Sequence, residues 1–484
     1  MNTAAKAISM HGLKRRALSL GVVKAFDQAM QFLLPVVLVR VLDSATFGEY
    51  RLLWLVVGTI MTFATLNMCG SLYFFLPRSD ALKKRLYVHH TVLYLLVAGL
   101  LCALAVGPWT TFLPPAVRHL ESYGWLVPAF VGLWVVAVFL DYLPTVDERI
   151  GWQAWATLSS SALRVVLVAA GAFFSGELRV ILWLLIAMVT IKLAMLLYYI
   201  ARWHGLGGPW FSRAEFSEQF RHSAPFGLSN ALYALRGQAD QWVAASLFAL
   251  SSFAAFSIAA IVGQVVQIFR HSVLEAFLPS MSRMHAAGDV AGMMQMNSRA
   301  NVLVGTALFP MLAIAFVFAE EIVTLVYTST YLEAAPVMRV YIVGLVALVI
   351  EMGSIVLLLR EGRFALMVSS VTLLVSVVLS WTGAHHIGLT AAATGSVTAI
   401  YLDRVVILRR VSRHTNIPFR SLQQWTRLAV TLAAAACAGL LAWGVVAHWF
   451  YGAHELVRLV VGTGVIAAVY LPWLWLAATL RRRP

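Results

Sequence analysis

The stretch "VVKAFDQAMQFLLP", residues 22–35, lies in the first long apolar run of the chain and contains four polar side chains. These are Lys24, Asp27, Gln28 and Gln31. Their spacing of i, i+3, i+4 and i+7 puts them in one stripe along an α-helix. A charge at the centre of a membrane helix costs about 2.5–3.5 kcal/mol on insertion scales. The pattern therefore predicts a membrane helix whose polar face is turned to the protein interior or to a wet cavity.

The composition is that of an integral membrane protein. Of the 484 residues, 61% are hydrophobic and 12% charged, and the mean hydropathy is +0.82; soluble domains have about 25% charged residues. A membrane helix needs about 20 apolar residues. The chain has about fourteen such runs, at 17–40, 50–75, 87–108, 123–144, 151–175, 179–201, 221–247, 252–278, 300–327, 335–359, 364–384, 388–408, 427–450 and 456–480. Because the runs are continuous and do not alternate, they predict an all-α polytopic membrane protein and exclude a β-barrel.

Membrane topology explains the net charge of +15. When fourteen spans are threaded through a membrane, 24 Lys and Arg fall in loops and termini on one side. The opposite loops contain four, which are Arg40, Arg51, Arg118 and Arg179. This asymmetry follows the positive-inside rule and predicts that both termini are cytoplasmic, in the inner (plasma) membrane of a bacterium. The basic residues are therefore no sign of nucleic-acid binding.

Several functional classes lack their sequence signals. The chain has neither a phosphate-binding Walker motif nor a dinucleotide fingerprint, and its longest connections are about twenty residues, so we expect no ATP hydrolysis and no cofactor. Its three cysteines lie in apolar runs and predict no disulfide framework. The adjacent histidines at 89–90 and 385–386 point in different directions on a helix, so we expect no metal site. The basic N-terminus and the apolar run after it are interpreted as a retained helix.

Two stretches of the chain match at an offset of 206 residues. "VLDSATFGEYRLLW" at 41–54 aligns with "LFALSSFAAFSIAA" at 247–260 and pairs Phe47 with Phe253. The offset corresponds to about six helices and predicts two parallel lobes with a central cavity, a recurrent arrangement in transporters. The predicted domains are residues 1–205 (six helices), 206–410 (six helices) and 411–484 (helices 13 and 14).

Further polar stripes occur on the seventh and eighth predicted helices. The seventh has Asn230, Tyr233, Gly237, Asp240 and Gln241, with Arg236 nearby; the eighth has Gln264, Gln267 and His271, with Arg270 and Glu275 nearby. Arg164, Lys192 and Glu351 are also deep in apolar runs. A shared cavity would explain all these groups, and buried ion pairs between neighbouring helices are the alternative. Arg339, Arg404 and Arg458 are expected near helix ends, with their side chains reaching the membrane interface.

Four segments resemble polysaccharide flippases of the multidrug/oligosaccharidyl-lipid/polysaccharide exporter superfamily, which are also similar to the lipid II flippase. "LVRVLDSATFGEY" resembles the connection between their first two helices, and "HSAPFGLSNAL" the entry to the seventh, where Asp240 falls at a position that often carries Asp. "LPSMSRM" resembles the exit of the eighth helix, and "EEIVTLVYTSTYLEAAPVMRV" the connection between the ninth and tenth. The resemblance covers most of residues 15–410.

The resemblance implies a flippase with no catalytic residues, which moves a polyprenyl-pyrophosphate-linked oligosaccharide, such as an O-antigen or exopolysaccharide unit, to the periplasmic leaflet. The proposed pyrophosphate contacts are Lys24, Arg236 and Arg270, then Arg164 and Lys192, because charged hydrogen bonds favour phosphate. Asn230, Gln31, Gln264 and Gln267 would bind sugar hydroxyls. Asp27, Asp240 and Glu351 are the candidate carboxylates for proton or sodium coupling. The implied partners are membrane lipids and the pathway's polysaccharide polymerase and glycosyltransferases.

The residues alone leave two other functions to consider. A multidrug exporter of the same superfamily would share the fold, but five deep bases against three deep acids favour an anionic cargo. A membrane glycosyltransferase or ligase usually needs a large periplasmic loop or an acidic metal-binding motif. The longest outer loop here, "PWTTFLPPAVRHLES", is short and has no such motif.

Overall fold

The structure is a computed structural model that describes residues 10–107, 114–359 and 361–480. This part of the chain consists of α-helices joined by turns and short 3-10 segments, and it contains no strand. It forms two compact units, one within residues 1–234 and the other within residues 235–484. We call them the N-terminal and the C-terminal unit.

The N-terminal unit is built from nine helices in its described part. They are α1 (Met10–Val41), α2 (Ser44–Ala64), α3 (Met68–Phe75), α4 (Ala81–Val106), α5 (Leu126–Ala137), α6 (Leu143–Val146), α7 (Ile150–Ser175), α8 (Leu178–Trp203) and α9 (Arg213–Arg236), the last of which ends just beyond the unit. The C-terminal unit contains α10 (Ala239–Leu247), α11 (Leu250–Ala286), α12 (Val290–Val317), α13 (Ala319–Tyr327), α14 (Ala334–Leu348), α15 (Gly353–Leu358), α16 (Gly362–His386), α17 (Leu389–Thr415), α18 (Phe419–Leu422), α19 (Trp425–Trp449) and α20 (Glu455–Leu480).

The prediction of an all-α polytopic membrane protein is confirmed. Within the described residues, eleven helical segments are long and apolar enough to cross a membrane, and the pair formed by α2 and Met68–Arg78, bent by 43°, could be a twelfth. The predicted runs 221–247 and 335–359 are also helical, but each is divided into two shorter helices, α9 with α10 and α14 with α15. The predicted number of fourteen spans is therefore approximate.

The start and the end of α2 have local causes. Asp43 caps the helix, since its carboxylate accepts hydrogen bonds from the backbone N–H groups of Ala45 and Thr46 at 2.9 and 3.0 Å. Burial raises the pKa of Asp43, but these bonds and the one from the Thr46 hydroxyl outweigh it and hold the pKa below its usual value. At the other end, Leu66 and Asn67 have positive φ angles, and the chain bends there before α3 begins.

Helix ends in the two units follow the internal sequence match. α1 ends at Val41 and α10 ends at Leu247, and α2 begins at Ser44 and α11 at Leu250. Both pairs of positions differ by the same 206 residues as the sequence match. The paired phenylalanines fall in the same turn of α2 and α11, and both are buried. This correspondence supports the prediction of two parallel lobes; the boundaries at 205 and 410 stay predictions.

Apolar side chains cover outward faces of the helices as well as the core. Leu100 and Leu101 on α4 and Phe173 and Phe174 on α7 are exposed to 60% or more. In a soluble protein, exposed apolar patches of this kind would favour aggregation, whereas lipid tails are a suitable environment for them. The exposed apolar faces therefore agree with a multi-pass membrane protein.

Two adjacent histidines near the start of α4 hold the connection between α8 and α9. The His89 ring stacks on Trp210, with 4.1 Å between the ring centroids, and one of its ring nitrogens lies 3.1 Å from the Gly205 carbonyl oxygen. His90 Nε2 accepts a hydrogen bond of 2.9 Å from the Ser212 backbone N–H. Both histidines are buried and serve to fix this connection to the N-terminal unit.

Candidate functional site

The N-terminal unit contains a polar cavity of about 460 Å³ between its helices. Its wall is formed by α1, α5, α6, α7 and α8, by the end of α3, and by the chain between α5 and α6. The charged side chains on the wall are Asp27, Asp141, Arg164 and Lys192. Its size is within the range of about 300–1,000 Å³ that is usual for small-molecule sites.

Asp27 of α1 is the centre of one group of polar contacts on the cavity wall. Its Oδ2 accepts a hydrogen bond of 2.9 Å from Gln31, and its Oδ1 accepts one from the Ser161 hydroxyl on α7. Arg164 Nη2 lies 4.0 Å from Asp27 Oδ1, at the limit of an ion pair. Arg164 Nε is buried and has no hydrogen-bond partner among the described residues. The stripe on α1 thus meets a cation on α7 that is loosely held.

Asp141 and Lys192 form a second charged pair on the cavity wall. Asp141 lies in the 3-10 turn Val138–Asp141, where the helix between α5 and α6 is broken. Its Oδ2 accepts a hydrogen bond of 2.8 Å from Lys192 Nζ on α8. The Lys192 ammonium also lies 5.3 Å from the centre of the Trp134 ring, within the range of a cation–π contact. The Asp141 side chain is 41% exposed and that of Lys192 is 8% exposed, so the carboxylate faces the open space.

The cavity therefore collects four of the site residues predicted from the sequence: Asp27, Gln31, Arg164 and Lys192. Asn230 is exposed on α9 and does not belong to the cavity wall. Lys24 lies on α1, but its side chain is outside the described part of the structure. Within this unit, charged side chains from separate apolar runs lie on the wall of one cavity, whereas a cavity shared by the two lobes stays a prediction.

In the C-terminal unit, Arg270 of α11 is enclosed by its partners. Its Nη1 donates to Glu351 Oε2 at 2.7 Å and to the Leu348 carbonyl oxygen at 3.4 Å, and its Nη2 donates to Gln267 at 2.5 Å. The side chains of Arg270 and Glu351 are 2% and 10% exposed. Gln264, on the same helix, is exposed. Glu351 thus neutralises Arg270 in a closed environment.

Two further polar groups of this unit have partners of their own. Arg236 Nη1 donates to Asp403 Oδ1 at 2.6 Å and to the Thr372 hydroxyl at 3.3 Å. Asp240 Oδ2 accepts a hydrogen bond of 2.7 Å from the Tyr341 hydroxyl. Ion pairs within the bundle, the alternative left open by the sequence, are what these geometries show for Arg236 and Arg270.

The structure corrects the prediction for Arg404 and the count of deep charges. Arg404 was expected to reach the membrane interface, but it is buried in the middle of α17 with its guanidinium 3.6 Å from Asp403. Asp141 and Asp403 add two carboxylates to the deep charges, and Arg404 adds one cation. The count becomes six deep bases against five deep acids. This small excess of cations gives little support to an anionic cargo.

Sequence reasoning missed Asp141, although the signal was present. "VFLDYLP", residues 138–144, places a carboxylate in an apolar run, as does the stretch around Asp27. The same signal marks Asp403 in the run 388–408. The structure also adds Ser161 and Tyr341, hydroxyl groups that no charge pattern could have indicated. For metals, no group of three or more His, Cys, Asp or Glu side chains that could hold an ion was found in the described residues.

The fold and the cavity define a multi-pass membrane protein with a polar site inside its helical bundle. A family model described as "Polysaccharide biosynthesis protein" matches residues 13–285, more than half of the chain. The chain belongs to this polysaccharide biosynthesis protein family. A comparison with curated proteins found no match.

Solved structures show the same fold. The chain is similar to a lipid II flippase, MurJ, in an inward closed conformation, with a TM-score of 0.68, 13% identity and coverage of 95% of this chain and 99% of that one. An inward-facing multidrug resistance MATE transporter of the MOP superfamily gives a TM-score of 0.60, with 13% identity over 81% and 96% of the two chains. A MOP superfamily transporter from Pyrococcus furiosus gives a TM-score of 0.55, with 14% identity over 83% and 96%. The predicted resemblance is confirmed for the family and the fold.

Proposed function

We propose that this protein is a flippase that moves a polyprenyl-pyrophosphate-linked oligosaccharide, such as an O-antigen or exopolysaccharide unit, from the cytoplasmic to the periplasmic leaflet of a bacterial inner membrane. The observation that carries the proposal is the polar cavity inside the N-terminal unit of a polysaccharide biosynthesis family member. A sugar headgroup needs a polar site to cross the apolar core, and its lipid tail can stay in the bilayer. Alternating access without a covalent step would move it.

The cations proposed for the pyrophosphate differ in how firmly they are held. Arg236 and Arg270 have short contacts with carboxylates, at 2.6 and 2.7 Å. Arg164 is 4.0 Å from Asp27, at the limit of an ion pair, and its guanidinium lies 5.7 Å from the centre of the Trp54 ring. Exchanging a carboxylate for a phosphate is least costly where the existing contact is weakest, so Arg164 is our first choice among the described cations. Asp27, beside it on the cavity wall, is the corresponding first choice for ion coupling, ahead of Asp240 and Glu351.

The experiment is a deletion in the native host, followed by complementation. We expect the deletion strain to lose surface polysaccharide and to accumulate lipid-linked units that a lectin cannot reach from the periplasmic side of spheroplasts. The wild-type chain should restore both, and Arg164→Ala should not, although its amount in the membrane is normal. Unchanged surface polysaccharide in the deletion strain would refute the proposal.

An ion-coupled multidrug exporter is the second candidate, because one specific observation favours it. On the cavity wall the carboxylates of Asp27 and Asp141 are more exposed than the cations of Arg164 and Lys192, and exposed carboxylates suit a cationic drug. The same deletion strain decides between the candidates. Greater sensitivity to cationic dyes with normal surface polysaccharide would support the exporter.

A further inference from the structure

The break between α5 and α6 presents the carboxylate group of Asp141 to the cavity. Lys192 occupies Oδ2 of Asp141, and Oδ1 has no hydrogen-bond partner among the described residues. Because Lys192 is covered and Asp141 is 41% exposed, an incoming group meets the carboxylate and not the ammonium. The pair as a whole is neutral, so this part of the cavity wall offers a strong acceptor with little net charge.

Two aromatic side chains and an unused amide oxygen lie on the wall of the same cavity. Tyr73 from α3 and Tyr142, next to Asp141, are 50% and 38% exposed. Gln153 at the start of α7 donates its N–H to the Thr157 hydroxyl at 3.0 Å, while its Oε1 is buried without a partner in the described chain. A buried polar atom without a partner needs a water or a ligand to complete its hydrogen bonding. Exposed aromatic faces next to unused acceptors suit a ligand with an apolar face and several hydroxyl groups.

The cavity wall along α7 is long enough to contact different parts of one headgroup. Gln153 and Arg164 are both on α7, eleven residues apart, which corresponds to about 16 Å along the helix axis. Of the two cations on the wall, Arg164 is loosely held, whereas Lys192 is hydrogen-bonded to Asp141 and covered. Both pairs have an exposed carboxylate, but Lys192 is 8% exposed and bound at 2.8 Å, whereas Arg164 is 14% exposed and 4.0 Å from Asp27, so Arg164 is the more accessible cation for a pyrophosphate.

We propose that Asp141, Tyr73, Tyr142 and Gln153 form a carbohydrate subsite that takes an uncharged pyranose ring of the transported unit. The ring packs its C–H face on the tyrosines and donates hydroxyl hydrogens to Asp141 Oδ1 and Gln153 Oε1. Lys192 is a positioning residue, which holds Asp141 in the break and cancels its charge. This inference rests on the proposed function, because it assigns a part of the cargo to a part of the same cavity.

The test is saturation-transfer NMR on the purified full-length chain, in a detergent without a sugar headgroup. The probes are a panel of neutral monosaccharides (glucose, galactose, mannose, rhamnose, N-acetylglucosamine and N-acetylgalactosamine), protonated glucosamine and inorganic pyrophosphate. We expect at least one neutral sugar to bind through its C–H protons and pyrophosphate not to displace it. Tyr73→Leu should weaken that binding about fivefold. Tyr198→Leu is the matched control, because Tyr198 is 61% exposed on α8 and does not line the cavity.

The outcomes separate this inference from the proposed function. Absence of neutral-sugar binding, tighter binding of glucosamine, or displacement by pyrophosphate would each overturn the subsite, and so would equal loss in Tyr73→Leu and Tyr198→Leu. If the complementation experiment still shows polysaccharide export, the flippase proposal survives that result. If Tyr73→Leu is poorly folded, Asp141→Glu supplies a second measurement: it keeps the acceptor and the charge, so neutral-sugar binding should persist within about threefold.

Discussion

Each unit contains a broken helix with a carboxylate at the break, and the surroundings of the two carboxylates differ. Asp141 lies between α5 and α6 in the N-terminal unit, and Glu351 lies between α14 and α15 in the C-terminal unit. Each accepts a hydrogen bond from a cation on another helix, Lys192 at 2.8 Å and Arg270 at 2.7 Å. The Asp141 side chain is 41% exposed to a cavity, whereas that of Glu351 is 10% exposed.

The backbone at the two breaks is also supported in different ways. Around Glu351, Asn301 Oδ1 accepts from the backbone N–H at 3.1 Å, and Asn297 donates to the backbone carbonyl at 3.1 Å. Around Asp141, the chain continues through a 3-10 turn, and Tyr142 N–H donates to the Phe139 carbonyl at 3.1 Å. Buried asparagines thus fix the C-terminal break, while the N-terminal break is held by its own backbone.

The comparison shows that a charge deep in an apolar run is not in itself a binding site. Both breaks satisfy the rule that membrane-embedded charges are paired. They differ in the hydrogen-bonding capacity that remains for a ligand. Both carboxylate oxygens of Glu351 accept hydrogen bonds from protein donors, whereas only Oδ2 of Asp141 does so in the described residues. We therefore expect the C-terminal pair to contribute mainly to stability and the N-terminal pair mainly to transport.

The largest expected effect is that of Glu351→Gln on the stability of the protein. The amide keeps a hydrogen-bond acceptor but removes the countercharge of Arg270, whose side chain is 2% exposed. An uncompensated buried cation costs about 3–5 kcal/mol of folding free energy. The measurement is thermal unfolding of the purified variant in detergent, where a clear fall in melting temperature is expected.

The control for this prediction removes both charges together. In the double variant Arg270→Met with Glu351→Leu, no buried charge remains, and the stability should return close to the wild-type value. If Glu351→Gln alone melts at the wild-type temperature, Arg270 does not depend on Glu351 for its charge compensation, and the proposed difference between the two breaks is refuted.

Asn301→Ala should have the next largest effect. Asn301 contacts the backbone of Glu351 and donates to Gln423 Oε1 at 3.0 Å, and all three residues are buried. The substitution leaves a buried N–H and a buried amide oxygen without partners, which costs about 1–3 kcal/mol. Thermal unfolding measures it, with Asn230→Ala as the matched control at an exposed position, where a change within about 0.5 kcal/mol is expected. Equal effects of the two substitutions would contradict the role of Asn301 at the break.

The sequence sufficed for the helical architecture because the membrane itself fixes the length of an apolar run. In the described residues each predicted run is occupied mainly by helix, although the runs 50–75, 123–144, 221–247, 300–327 and 335–359 are divided. The cost of a charge in lipid was also a reliable guide to which residues point inward: Asp27, Arg164 and Lys192 all line the cavity. Such a cost depends on the residue and its depth, and both can be estimated from the sequence.

The partners of these residues could not be predicted, because they lie on other helices. Arg270 pairs with Glu351, 81 residues further along the chain, and Arg236 with Asp403, 167 residues further. Helical periodicity gives the face on which a side chain lies, but not the neighbouring helix or its vertical register. Arg404 was misplaced for a related reason: α17 continues to Thr415, so a residue expected near a helix end is in its middle.

Asp141→Asn should have the smallest effect on stability and sharpens the comparison most, since it makes the same chemical change as Glu351→Gln. Lys192 is 8% exposed and loses its countercharge, but the amide oxygen can still accept from it and the 41% exposed side chain is accessible to water, so we expect a smaller loss than for Glu351→Gln. The group that faces the cavity, however, becomes an N–H donor in place of an acceptor. Surface polysaccharide should therefore fall strongly in cells that contain normal amounts of the variant, measured by lectin binding and immunoblot. Normal export would show that Asp141 is not needed for transport. A melting temperature as low as that of Glu351→Gln would show that both carboxylates contribute equally to stability.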